Sequence, residues 1–457
     1  MFFRQVLHAD LACASYVLAD GGEAAVIDPK WEIEEYLELA LEHGFEIEHV
    51  LETHNHADHV SGHGRLAAAS GARIYVSERA GAEYEHVPLA DGQQVAVGRI
   101  TITALATPGH RPEHLAFVVE DGSRAGAPWL VVTGDSLFVG DLARPDLAVE
   151  PVEGARELFR SLRRLLALED FAEVWPAHVG GSLCGGEAMS QKPASTIGFE
   201  RRYNRLAAIA DEGEFVRALT HELAPQPPNF ERIVALNRGP LLTELAPLEP
   251  RAPARVKQLM DAGAVLVDGR DPREFDAAHV PGSINVTATK GAVGTRAAWV
   301  VDLESEVLVA GASDEEARRF GRLLEAVGFR RLGGYLAGGI AAWRDALLPV
   351  ATTPAVDAAG LSERLRAGDV LLFDVREDEE WEEGHVEGSL HAPYHDLRDL
   401  VPDELRDAGK PIAVACSAGN RSSIAASLLE RGGVEDVIHL VDGGVDDLAE
   451  HGIELVR

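Results

Sequence analysis

Along the first half of the chain, apolar and polar positions alternate in short blocks, and most blocks stop at a turn. Residues 14–18 and Glu23–Ile27 read as strands, the second running into Asp28-Pro29. An amphipathic helix is expected over 32–43, closed by Gly44, which adopts a left-handed C-cap without steric cost. An apolar run at 48–51 predicts a strand ending near Glu52. The polar stretch LETHNHADHVSGH (51–63) and a short helix at 64–70 follow. Further strands are expected at 73–76, Gln94–Val97, Ile100–Ala106, 115–120, 129–133 and 172–175, with a turn at Asp91-Gly92 and a helix over 153–168.

Four of these strands end in a turn that opens with a possible metal ligand. They are His54 with His56, then His110 in Thr-Pro-Gly-His, Asp135 in Thr-Gly-Asp and His178 in Pro-Ala-His. Ligands at the ends of neighbouring strands converge on one edge of a sheet, where layered α/β proteins gather their binding residues. In an extended segment residues two apart point the same way, so His54 and His56 can grip one ion. Asp58 and His59 then face a second ion or orient the ligands. A single such His is more often structural; four in series argue for a metal centre. His63 and His114 lie off the pattern and read as structural, Cys13 as packed, and Cys184 as a loop thiol.

Composition narrows the partners. The chain has 457 residues, 46% apolar and 26% charged, enough for about three domains with real cores. A net charge of −33 argues against nucleic acid or an anionic membrane surface as partner, and an anionic substrate would need a locally positive site. Three cysteines make no disulfide framework. MFFRQVLHADLA lacks the apolar core of a signal peptide and no run is long enough to span a bilayer, so a cytoplasmic enzyme is expected. The Arg-over-Lys and Ala-rich bias points to a high-GC or salt-adapted bacterial source.

After residue 245 the character changes. The Pro-rich stretch 246–253 reads as a linker, and beyond it the chain repeats itself with an offset of about 106 residues. VLVDGRDPREFDAAHVPGSINV (265–286) matches LLFDVREDEEWEEGHVEGSLHA (371–392), pairing Asp268 with Asp374, Arg270 with Arg376, His279 with His385 and Gly282 with Gly388. Two tandem α/β domains are expected, at 254–352 and 353–457. In the second, Cys416-Ser-Ala-Gly-Asn-Arg421-Ser lies between a buried-type strand and a helix beginning near Ser422. Helix N-terminal charge, loop N–H groups and the Arg421 guanidinium all favour a thiolate or persulfide at Cys416. The loop residues Ser417, Ala418, Gly419, Asn420 and Ser422 would line its substrate. In the first copy Gly311 stands at the Cys position and Glu316 at the Arg position, so it is read as catalytically inactive.

The six-residue Cys-to-Arg loop resembles that of the rhodanese sulfurtransferases. Protein tyrosine phosphatases share the Cys-to-Arg spacing but have a His before the Cys, where Ala415 stands here. Residues 1–245 resemble the metallo-β-lactamase superfamily through T-H-x-H-x-D-H at 53–59, T-P-G-H, T-G-D and P-A-H. The fold implied is a multidomain α/β and α+β chain: a metallo-β-lactamase αββα sandwich followed by two rhodanese-like α/β domains.

Within that superfamily, GDSLFVGDLARPDL after Thr133 and the link to a rhodanese resemble the persulfide dioxygenase–rhodanese fusions, with Ala143 in place of the usual Gly. That resemblance implies one Fe(II) per chain on His54, His110 and Asp135, with His56, Asp58, His59 and His178 orienting ligands or holding a second metal. Arg144 would hold the substrate anion or pair with Asp146. The expected activity is oxidation of a low-molecular-weight thiol persulfide by O2 to sulfite and thiol. The rhodanese domain would move sulfane sulfur between persulfide or thiosulfate and sulfite or thiol, in sulfide detoxification. A homodimer or homotetramer is expected, as in related fusions. The competing expectation is a dinuclear Zn thioester hydrolase of the glyoxalase II type fused to a sulfurtransferase, and a third is a persulfide sensor without turnover.

Overall fold

The computed structural model describes residues 1–457 apart from 9, 181, 183, 187, 222, 289–292, 399–400 and 407. Residues 1–245 make up nearly all of one compact unit, and most of 246–457 makes up a second.

The first unit is built on two six-stranded sheets. One runs, in spatial order, through Phe2–His8, Cys13–Asp20, Glu23–Ile27, Glu46–Leu51, Arg73–Ser77 and Val87–Leu89. The other runs through Ser195–Thr196, Glu173–Pro176, Pro128–Gly134, Leu115–Asp121, Ile100–Ala106 and Gln94–Val97. Successive side chains of a strand face opposite ways, and the apolar pattern uses both faces. Tyr16 and Leu18 join Leu51, Phe117 and Val132 in the layer between the sheets. Val17 and Ala19, with Val50, pack outward against Tyr36 and Leu39 of the helix Glu34–His43. On the other side Val131 and Val174 pack against Leu158, Leu162 and Leu165 of the helix Pro151–Leu165. Each fully buried Leu or Val contributes roughly 1.5–3 kcal/mol, and the result is the αββα sandwich. Gly44 closes its helix at φ 67°, as expected of the C-cap glycine.

The second unit repeats one design. Each rhodanese-like copy has a five-stranded parallel sheet with the same strand order: Pro250–Arg251, Leu332–Leu336, Val307–Ala310, Val265–Asp268, Ile284–Asn285, and then Ala355–Asp357, Val437–Asp442, Ile412–Ala415, Leu371–Asp374, Leu390–His391. The matched residues do the same work in both. Arg270 forks onto Asp268 and Arg376 onto Asp374. His279 and His385 each donate Nδ1–H to a carbonyl four residues back, of Phe275 and Trp381. Gly282 and Gly388 turn at φ +79° and +80°. Among the described residues no helix is long and apolar enough to cross a membrane.

Candidate functional site

The strand Glu46–Leu51 delivers the chain into the His-rich loop, and its first bonds determine how the imidazoles face. The Thr53 backbone N–H and hydroxyl donate to the two carboxylate oxygens of Asp28, at 2.7 and 2.8 Å. With its proton committed, Thr53 Oγ1 accepts from His54 Nδ1 at 2.9 Å. His110 Nδ1–H donates to the Arg144 carbonyl at 3.0 Å, and His178 Nδ1–H to the Ala12 carbonyl at 3.1 Å. Each Nδ1 is thereby committed to an oxygen of the fold and each Nε2 is turned toward the centre, the usual arrangement behind a metal-bound imidazole. The Nε2 atoms of His54, His110 and His178 and both carboxylate oxygens of Asp135 are buried without a hydrogen-bond partner. Asp135 Oδ2 lies 3.9 Å from His54 Nε2, 3.4 Å from His110 Nε2 and 3.3 Å from His178 Nε2.

Bare buried polar atoms cost about 1–3 kcal/mol each, and a cation between them removes that cost. His54, His110 and Asp135 bring one donor each within 4.8 Å of one another. Two imidazoles and one carboxylate suit iron(II) with open positions, so the residues present fit such an ion. Burial, reinforced by His56, His114 and neighbouring groups, holds the His54 imidazole well below the usual histidine range. Burial lowers His110 as well, against the pull of Asp135. Burial alone would raise the Asp135 carboxyl; the His178 imidazole and then His110 outweigh it and keep Asp135 below the usual carboxylate range. Near pH 7 the set is two neutral imidazoles and one carboxylate.

The other motif residues fall into separate groups. His56 Nε2 sits 3.2 Å from Asp28 Oδ1 and 3.5 Å from Glu52 Oε2, and these carboxylates raise it well above the usual range despite burial. Asp58 reaches His59 Nδ1 at 3.1 Å and His178 Nε2 at 3.4 Å. Asp58, His178 and Cys184 form one potential ligand group, and Cys13, Asp58 and His59 another. Burial pushes the Cys184 thiol up to about 12. Arg144 is bonded to Asp146 through Nε and Nη2, both at 2.7 Å, and to the Ala224 carbonyl, so its guanidinium is engaged within the fold.

Three residues outside the motif positions support this centre, among them His114, which the sequence already marks as structural. Asn237, in the helix Phe230–Arg238, donates to the His56 and His59 carbonyls and accepts from the Ser61 N–H, all at 2.9 Å, pinning the loop. Glu113 accepts from the Asn55 backbone and side chain. His114 Nε2 accepts the Asp135 N–H at 2.9 Å, and burial lowers its pKa to about 3, so it stays neutral for that role. Asp28 sat in plain view at a strand end, whereas Asn237 carries no local signal.

The second site lies in the last domain, between the strand Ile412–Ala415 and the helix Asn420–Arg431. Cys416 is buried; its Sγ accepts from the Gly419 N–H at 3.1 Å and lies 3.3 Å from Ser422 Oγ. Gly419 has φ +86°, and a Cβ there would come within 3.0 Å of the Val441 carbonyl, so the loop needs glycine. Arg421 closes the loop from outside: its guanidinium forks onto Glu380 at 2.5 and 2.7 Å and reaches Ser417 Oγ at 2.9 Å. Burial opposes the charge on Glu380, but Arg421 and Ser417 lower its pKa to about 2. The equivalent turn of the first copy differs in backbone as well as side chain. A Cβ on Gly311 would lie 2.7 Å from the Ala317 nitrogen, and Glu316 folds back onto the Ala312 N–H at 3.2 Å.

A sandwich with a His/Asp centre at its strand ends, followed by two parallel-sheet domains with one cysteine loop, defines the class: the chain belongs to the metallo-beta-lactamase superfamily and carries two rhodanese-like domains. The superfamily profile matches residues 8–178, and the rhodanese-like domain profile matches 252–346 and 357–451. Among curated proteins, the mitochondrial persulfide dioxygenase ETHE1 of Bos taurus is 29% identical over 52% of this chain and 87% of its own length. A hydroxyacylglutathione hydrolase of Methylococcus capsulatus is 31% identical over 45% of this chain and 77% of its own. A crystal structure named as a metallo-beta-lactamase from Staphylococcus aureus superposes with a TM-score of 0.66 at 27% identity, covering 74% of this chain and 99% of that one.

Proposed function

We propose that the chain is a persulfide dioxygenase joined to a thiosulfate sulfurtransferase, acting in sulfide detoxification, with residues 254–352 a non-catalytic copy. The observation that carries the first activity is the convergence of His54, His110 and Asp135 on one centre while His56 is drawn to Asp28 and Glu52. Iron(II) bound there would supply O2 activation beside the persulfide sulfur. Overall, R–S–SH, O2 and water would give R–SH, sulfite and two protons. The protein's part is to hold two imidazoles in the right tautomer, keep Asp135 ionised and bury the centre. His178, 3.3 Å from the same Asp135 oxygen, and Asp58, 3.4 Å from His178, are placed to orient a ligand. At the second site Cys416 would attack a sulfane sulfur, forming a persulfide and releasing sulfite or thiol; the Gly419 N–H lies ready for the anionic sulfur.

The kinship with persulfide dioxygenase and the rhodanese-like domains supports this reading. Kinship with hydroxyacylglutathione hydrolase, with His178 between Asp135 and Asp58 and His59 on Asp58, supports the second reading, a dinuclear Zn thioester hydrolase. Metal analysis with oxygen uptake separates them. About one Fe per chain and persulfide-dependent O2 consumption is expected; two Zn with thioester cleavage and no O2 uptake would overturn the proposal.

A further inference from the structure

Cys416 is linked by buried contacts to a carboxylate of the other rhodanese-like copy. Ser422 Oγ lies 3.3 Å from Cys416 Sγ and 2.9 Å from His439 Nε2. His439, fully buried in the strand Val437–Asp442, faces Asp276 Oδ2 through Nδ1 at 2.8 Å. Asp276 belongs to the helix Pro272–Ala277 of the first copy. From this juxtaposition we propose that Ser422, His439 and Asp276 form a proton relay for Cys416, so that the copy without a nucleophile completes the sulfurtransferase site. The proposal rests on Cys416 being the transferring thiol.

The arrangement serves both protonation states of His439. Asp276 can only accept, so Nδ1 keeps its proton. When Nε2 is bare it accepts from the Ser422 hydroxyl, whose oxygen is then free to accept from the thiol. When Nε2 is protonated, the Gly419 carbonyl stands 3.0 Å away as a ready acceptor. The step is a shift of protons alone: Cys416 gives its S–H proton to Ser422 Oγ as Ser422 passes its own to His439 Nε2. The products are a thiolate and an imidazolium balanced by Asp276. The thiolate electron pair then forms the new S–S bond, and the leaving sulfite or thiolate takes the pair of the bond that breaks. Ser422 touches the reacting sulfur; His439 and Asp276 are positioning residues that act through it.

Asp276 is well anchored for this. Its carbonyl accepts the Thr353 N–H at 2.9 Å, and the copies are tied along the helix Asn420–Arg431 by Ser423 to Asn285 Oδ1 at 2.5 Å and by Glu430 to His279. The other charged groups packed around the loop are already paired: Arg421 with Glu380 and Glu377, Arg376 with Asp374 and Asp446, and Arg273 with Asp442.

The test uses the full chain and the variants Asp276→Asn, Ser422→Ala and Cys416→Ser. Two quantities are read: kinetics of sulfur transfer from thiosulfate to a thiol, and the pH profile of Cys416 alkylation by iodoacetamide, followed by peptide mass. For Asp276→Asn and Ser422→Ala, kcat is expected to fall about 10- to 100-fold with KM for thiosulfate within about twofold, and the alkylation midpoint to rise by about one pH unit. Should Asp276→Asn fail to fold, Ser422→Ala decides on the same readouts. Wild-type kcat and midpoint in folded Asp276→Asn and Ser422→Ala, with transfer lost in Cys416→Ser, would overturn the relay alone. Transfer surviving in Cys416→Ser would overturn the nucleophile and the relay with it.

Discussion

At the residue scale, the candidate metal centre is governed by single hydrogen bonds behind its proposed ligands. The Thr53 hydroxyl both answers Asp28 and fixes the His54 tautomer. Thr53→Ala leaves His54 Nδ1 without its partner, and metal affinity is expected to fall about 10- to 100-fold, as for other lost ligand supports; titration of the metal-free protein with Fe(II) or Zn(II) measures it. The Arg421–Glu380 pair makes a prediction in pH. Glu380 titrates at about 2 in the folded chain against an ordinary 4.5. Its folded-state pKa is the lower one, so the pair's stabilisation is complete above about 4.5 and is lost as pH falls towards about 2. Glu380→Gln removes that stabilisation at neutral pH. The gap in denaturation midpoint between parent and variant should therefore be widest above pH 5 and shrink on acidification, and a pH-independent gap would show that the pair is not its source.

Glycines decide what two of the turns between elements can do. Gly134 ends the strand Pro128–Gly134 at φ +52°, where an added Cβ would come within 2.5 Å of His114 Nε2, the acceptor of the Asp135 N–H. Gly134→Ala should therefore displace Asp135 and release metal while the sandwich persists, visible as lost metal with little change in circular dichroism. In the first rhodanese-like copy, Gly311→Cys restores the residue type but not the loop, because the backbone at Ala317 occupies the space of its Cβ. Placed in a Cys416→Ser background it should restore no sulfur transfer; measurable transfer would show that the turn can reopen. These cases mark how far elements could be read beforehand. The strands carrying His54, His110, Asp135 and His178 were legible because apolar alternation and turn residues are local signals. The loop's anchor Asn237, on the helix Phe230–Arg238, was not, because it bonds His56 across 181 residues and such a pairing leaves no trace in either segment. Cys416 in its strand-to-helix turn was legible, yet His439 and Asp276 looked like an ordinary strand histidine and an ordinary helix carboxylate until folding juxtaposed them.

At the scale of the whole molecule, the two proposed activities would meet in one species, sulfane sulfur carried on a thiol. If Cys416 takes sulfur from thiosulfate and passes it to a small thiol, the product is the substrate proposed for the His54–His110–Asp135 centre. Oxygen uptake should then be driven by thiosulfate plus thiol as well as by preformed persulfide. The two routes are separable by variants whose effects stay local, because the proposed nucleophile and the proposed ligand set lie in different compact units. Cys416→Ser should abolish thiosulfate-driven uptake and leave persulfide-driven uptake within about twofold, whereas Asp135→Asn should lower both at least 100-fold, a loss of about 2.7 kcal/mol of transition-state stabilisation. Sulfur transfer measured without O2 should follow the opposite pattern, lost in Cys416→Ser and retained in Asp135→Asn. A Cys416→Ser protein that still consumes O2 on thiosulfate and thiol would mean that the sulfur reaches the metal centre without passing through the rhodanese loop, and the fusion would then need another explanation.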